Sequence, residues 1–89
     1  MAKTIDAVNE RQLLNRITMR PDVFGGKPII RDMRISVEMI ISLMVQGETE
    51  DDILEDFPEL EPEDIRASLA YARTALSRPA KNRVPAPVR

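Results

Sequence analysis

The sequence predicts a mainly α fold: a tri-helical, helix-turn-helix-like domain with a small N-terminal β element. Three observations predict it. From Val37 to Ala75 apolar residues recur at helical spacing in three blocks, and a capping residue or a proline opens each block. Between Ile17 and Ile35, short β-branched stretches alternate with glycine and proline turns. At 89 residues the chain has room for one domain with a marginal core, which favours pairing with a second copy. A homodimer is the expected state.

Residues 1–16 are expected to form an N-terminal extension, because Ala7 to Arg16 is helix-compatible but weakly periodic. The folded domain is expected over 17–77. Ile17-Thr18-Met19 suits a short strand, and Pro28-Ile29-Ile30 with Met33 to Ile35 supplies further extended material. Phe24-Gly25-Gly26-Lys27-Pro28 is the turn between them: the two glycines permit positive φ, and Pro28 drives Lys27 out of the helical region.

Ser36 is the N-cap of the first helix, whose apolar residues run from Val37 to Val45, and Gly47 stands where a left-handed residue would end it. Its polar positions, Glu38, Ser42 and Gln46, form one narrow stripe, so most of the helix is expected to be buried. Thr49 caps the second helix with an acid three residues on, Ile53, Leu54 and Phe57 form its inner face, and Pro58 ends it. Pro62 suits the first turn of the third helix, on which Ile65, Leu69, Ala72 and Leu76 are expected to share an apolar face. After Ser77, residues 78–89 carry three prolines, alternating cations and no apolar period, which predicts a basic flexible tail.

Charge is sorted along the chain. Residues 1–36 hold 7 Lys and Arg against 4 Asp and Glu, residues 37–70 hold Arg66 alone against 11 acids, and residues 71–89 hold 5 cations and no acid. Cysteine and histidine are absent, which removes disulfides, thiolate and imidazole metal ligands, and any nucleophile that needs an imidazole base. Ser36, Ser42, Ser68 and Ser77 therefore have no such activating partner. No catalytic residue, metal or cofactor is expected. The absence of a secretory signal or membrane-length apolar run predicts a cytoplasmic protein.

The stretch from Ile17 to Arg73, about two-thirds of the chain, resembles the prokaryotic domain of unknown function 433 family. The resemblance rests on Gly25-Gly26-Lys27-Pro28-Ile29-Ile30-Arg31, Arg34-Ile35-Ser36-Val37-Glu38, Gly47, Asp56-Phe57-Pro58-Glu59-Leu60 and Ser68-Leu69-Ala70-Tyr71-Ala72. Two positions depart from the family pattern. Asp32-Met33 replaces the usual Gly-Thr, which predicts an altered turn, and Glu61 replaces a Thr or Ser, which predicts a weaker cap. The resemblance implies a helix-turn-helix-like fold with a small β element. It also implies an antitoxin role beside a PIN-type nuclease toxin, with operator DNA binding for autoregulation as a further expectation.

Several residues are candidates for binding. Gly25-Gly26-Lys27 lacks the glycine spacing and the following Ser or Thr of a phosphate loop, so a structural turn is the first reading and a backbone-phosphate contact the second. Four carboxylates, Glu59, Glu61, Glu63 and Asp64, stand where a groove-reading helix would meet DNA, and they oppose that use. Arg20, Lys27, Arg31 and Arg34 are the better nucleic-acid candidates. The acids between Glu48 and Asp56 read as solvated helix surface, since they lack the spacing of a calcium loop. Met39, Ile40, Leu43 and Met44 are the candidate dimer interface. Arg78, Lys81, Arg83 and Arg89 of the tail suit the carboxylate-lined metal site of a nuclease. Tyr71 reads as a core or interface residue. Three functions stay open: an antitoxin-like nuclease binder, a DNA-binding regulator without a toxin, and a homodimeric interaction module.

Overall fold

The structure, a computed structural model, describes residues 7–77. Its order is α1 (Ala7–Leu14), β1 (Ile17–Thr18), a 3-10 turn (Phe24–Gly26), β2 (Ile29–Ile30), α2 (Val37–Val45), α3 (Glu50–Asp56) and α4 (Pro62–Ser77). The mainly α class with a small β element is therefore observed. Residues 78–89, the predicted tail, lie outside the described residues.

The β element is small because each strand is closed off within two residues by a turn. β1 and β2 pair antiparallel, with Ile17 opposite Ile30 and Thr18 opposite Ile29. A bridge from Ile29 to Ser36 adds the segment after β2 as a third edge. The turn joining these last two segments places Arg31 at φ 42° and Asp32 at φ 62°, both left-handed. It closes with the Met33 N–H donating to the Ile30 carbonyl at 2.7 Å. Two consecutive left-handed residues make the tight hairpin turn that favours Asn-Gly or Asp-Gly. Asp32 thus occupies a conformation that costs most L-residues about 1–2 kcal/mol. The altered sequence keeps the turn and strains it. The Asp32 N–H donates to Thr18 Oγ1 at 3.0 Å, which ties the turn to β1.

The helix boundaries follow local chemistry. Ser36 Oγ accepts from the Met39 N–H at 3.0 Å, starting α2. The helix stops where Gly47 takes φ 101°, with the Gly47 N–H on the Met44 carbonyl and the Glu48 N–H on the Leu43 carbonyl, both at 3.0 Å. This paired closure satisfies two carbonyls that the helix would leave bare. Thr49 and Asp52 form a reciprocal capping box at the start of α3. The Thr49 backbone and side-chain hydrogen bonds hold the Asp52 carboxyl below its ordinary pKa. Pro58 forces Phe57 out of helical geometry and ends α3.

α2, α3 and α4 pack on one another around Ile30, Ile35, Val37, Ile40, Ile53, Leu60 and Ile65. Each fully buried isoleucine contributes on the order of 1.5–3 kcal/mol through apolar surface removed from water. α1, expected as part of an extension, packs along α4 and buries Leu13. The inward face of α4 differs from the expected one. Ile65 is buried and Ala72 half-buried as expected, but Leu69 is 44% and Leu76 82% exposed, while Asp64 and Ser68 are 1% and 0% exposed. The helix is rotated so that a carboxylate, rather than two leucines, faces inward.

Candidate binding surfaces

The N-terminus of α4 supplies the first notable site. Asp64 sits in the third helical position and turns its carboxylate back, where Oδ2 accepts the Glu61 N–H at 2.8 Å. That is one half of a capping box, supplied by the residue at its inner end. Glu61, the predicted weak cap, directs its own carboxylate to Arg16 at 2.8 Å. Asp64 also receives two arginines from the β element. Arg31 grips both oxygens, Nε to Oδ1 at 3.0 Å and Nη2 to Oδ2 at 2.7 Å, and Arg16 Nη1 reaches Oδ1 at 2.9 Å. Arg31 Nη2 donates further to the Glu59 carbonyl at 3.1 Å.

This cluster settles a competition. Burial by itself pushes the Asp64 carboxyl upward, but the hydrogen bonds from Arg31, the Glu61 backbone and Arg16 together hold it below the usual aspartate value. Asp64 is thus a buried anion whose charge is fully used. The two guanidiniums are raised in turn, Arg16 by Glu61 and then Asp64, Arg31 by Asp64. The β element is fastened to α4 by this contact, and β1 also packs against the helix.

The four cations expected to meet nucleic acid are placed as follows. Arg31 is committed to Asp64. Lys27 pairs with Glu38 at 2.7 Å, and that hydrogen bond lowers the Glu38 pKa. Arg20 lies 3.5 Å from Asp22. Arg34 is exposed and makes no ion pair with any described residue. The glycine turn supports the structural reading: Gly25 and Gly26 adopt φ 65° and 89°, and Phe24 joins them at φ 50°. A side chain at either glycine would meet open space, so backbone conformation alone demands glycine there.

The expected dimer face on α2 changes in one respect. Ile40 is 0% exposed and belongs to the core of its own chain, so it cannot touch a partner. Met39, Leu43 and Met44 are half-buried and pack against that same core. Tyr71 is also half-buried beside the core, matching one of its two readings. Among the described residues no group of three or more Asp and Glu is placed to hold a metal ion. Nor is any helix there long and apolar enough to cross a membrane.

A surface not anticipated from the sequence lies between α1 and α4. A cleft of about 190 Å³ has Leu13, Leu69 and Ala70 as its apolar lining, with Glu10, Arg66 and Arg73 around it. Arg73 is ion-paired to Glu10, and Arg66 makes no ion pair with a described residue. The spacing of 66, 69, 70 and 73 carries the signal for a helix stripe. It gains meaning only once α1 is placed beside it.

The family model described as "Protein of unknown function (DUF433)" matches residues 17–72, well over half of the chain. The chain belongs to the DUF433 family. A curated relative, the uncharacterized protein y4eO of Sinorhizobium fredii, is 34% identical over 56 residues, which is 63% of this chain. The chain spans only 25% of that relative's length. The crystal structure of a DUF433 member from Anabaena variabilis superimposes with a TM-score of 0.66 at 35% identity, covering 76% of this chain and 68% of the other. The DUF433 match begins at β1, so α1 and the α1 wall of the cleft lie outside the matched segment. The Asp64 cluster, from Arg16 to Asp64, lies within it except for Arg16.

Proposed function

We propose that this DUF433 chain is a non-enzymatic, antitoxin-like protein that forms a homodimer and neutralises a PIN-type nuclease. The observation that carries the homodimer is the apolar surface of α4, where Leu69 lines the α1/α4 cleft and Leu76 stands in solvent on the same helix. Large apolar side chains grouped on a helix face favour a protein partner. The family resemblance supplies the nuclease as the partner class.

Electrostatics supports a protein over DNA. Phosphate binding gains most from cations that lack an anion, whereas Arg20, Lys27 and Arg31 already hold carboxylates of their own chain. At the start of α4, Glu59, Glu61 and Glu63 are exposed and would face the phosphates of a duplex. The basic residues Arg78, Lys81, Arg83 and Arg89, outside the described residues, suit the negative metal site of a nuclease.

The test is co-expression with a PIN-type nuclease, followed by co-purification and an RNA-cleavage assay. Full-length chain should suppress cleavage, and removing residues 78–89 should weaken suppression. Undiminished cleavage at saturating full-length chain would contradict the proposal. Exposed Arg34 favours the second reading, a DNA-binding regulator. Operator binding that weakens steeply with salt and falls on Arg34→Ala would support that instead.

A further inference from the structure

We infer that the α1/α4 face is the two-fold interface of the homodimer, with a second copy of this chain as its occupant. The inference rests on the dimeric part of the function proposed above and moves the contact away from α2. The helix that was expected to supply the interface commits the four candidate side chains to its own core, with Ile40 fully buried and Met39, Leu43 and Met44 packed against it, and leaves only Val45 of its apolar residues largely in solvent. On α4, by contrast, Leu69 is 44% exposed and forms the lining of the cleft with Leu13 and Ala70.

Charge complementarity selects the occupant and its orientation. Arg66 and Arg73 are seven residues apart on one stripe, about 10 Å along the helix axis. A two-fold axis midway between them falls at Leu69 and Ala70, so two antiparallel copies of α4 would bring those residues together across the axis. Small Ala70 permits close approach. The same axis sets Arg66 of one copy opposite position 73 of the other. What it meets there is the Arg73–Glu10 pair, whose carboxylate keeps 24% of its side chain exposed.

Arg66, which has no anion among the described residues of its own chain, gains one from the second copy. Exposed Glu63, one turn before Arg66, falls opposite Leu76 of the second copy, one turn from its Arg73. Each copy thus contributes two acids and two cations, Glu10, Glu63, Arg66 and Arg73, and the set is neutral. A parallel arrangement would oppose Arg66 to Arg66 and leave each Glu10 beside Arg73, about 10 Å from Arg66 along the helix. A self-complementary patch is what a two-fold contact requires.

Sedimentation equilibrium on the full chain tests this. The wild type should show twice the 10.1 kDa mass of one chain. Leu69→Glu should raise the dimer dissociation constant about tenfold or more. Because Leu69 is half in solvent, circular dichroism should show an unchanged helix content. Arg66→Glu should also weaken the dimer, by opposing Glu10 of the second copy. Adding Glu10→Gln should restore it by releasing Arg73 to the new carboxylate, a recovery that misfolding would not give. A wild-type monomer would overturn the dimer itself. A wild-type dimer split by Val45→Glu on α2 but not by Leu69→Glu would overturn the location alone. Neither result bears on nuclease capture.

Discussion

In its first two turns α4 buries a carboxylate, Asp64, and a hydroxyl, Ser68, whereas further along it leaves Leu69 and Leu76 in solvent. The buried end is polar yet satisfied: every Asp64 contact is a charge-assisted or backbone hydrogen bond, and Ser68 Oγ donates to the Asp64 carbonyl at 3.1 Å. The exposed end is apolar and open. Ile65 and Ala67 are buried at the same end as Asp64, so burial on this helix follows available partners as well as hydrophobicity. Arg31 and Arg16 reach that end from the β element and its start, while α1 lies beside Leu69 at the other.

The largest expected effect lies at the buried end. Asp64→Ala would strand two arginines and the Glu61 N–H, and it should destabilise the fold by about 2–4 kcal/mol in denaturant titrations. The arginines keep 28% and 37% of their side chains exposed, so water relieves part of the loss. Acid should act through the same carboxylate. Its folded pKa is depressed, so the unfolded chain binds the proton more readily; the stabilisation is present above about pH 4 and fades as pH falls through the folded value. Asp64→Asn should flatten that part of the stability profile. If the acid slope of the mutant equals that of the wild type, Asp64 is not its source.

Of the two arginines, Arg31 should matter more. Its two-pronged grip on Asp64 has no equivalent at Arg16, which makes one bond to Asp64 and one to exposed Glu61. Arg31→Ala is expected to cost about 1.5–3 kcal/mol, and Arg16→Ala about 0.5–1.5 kcal/mol. Equal losses would mean that bidentate geometry adds nothing here.

The smallest effect should be a gain. Asp32 is left-handed at φ 62°, and Asp32→Gly should relieve that strain and raise stability by about 0.5 kcal/mol, net of glycine's greater freedom when unfolded. A lower unfolding midpoint would show that the turn is not strained at Asp32.

Much of the fold was legible because local chemistry fixed it. Ser36, Gly47, Thr49, Pro58 and Pro62 each act within a few residues of their own position, and the helices begin and end where those residues require. The face of α4 was not legible in the same way. Ile65, Leu69, Ala72 and Leu76 satisfy helical spacing, but which stripe turns inward depends on Arg31 and Arg16, 33 and 48 residues away from Asp64. α1 was missed as part of the packed unit for a related reason, since its partner Arg73 lies 63 residues from Glu10. The candidate sites divide similarly: Lys27 and Arg34 were recognisable as cations, but their pairing with or distance from carboxylates is a property of the folded chain.

The claim that α4 anchors the fold at one end and offers a binding face at the other meets its most direct test in the concentration dependence of the denaturation midpoint. If the α1/α4 face joins two copies, the wild-type midpoint should rise with protein concentration, while that of Leu69→Glu should begin to rise only at concentrations about tenfold or more higher. A wild-type midpoint that stays constant with concentration, or a Leu69→Glu midpoint that rises over the same concentrations as the wild type, would contradict the account.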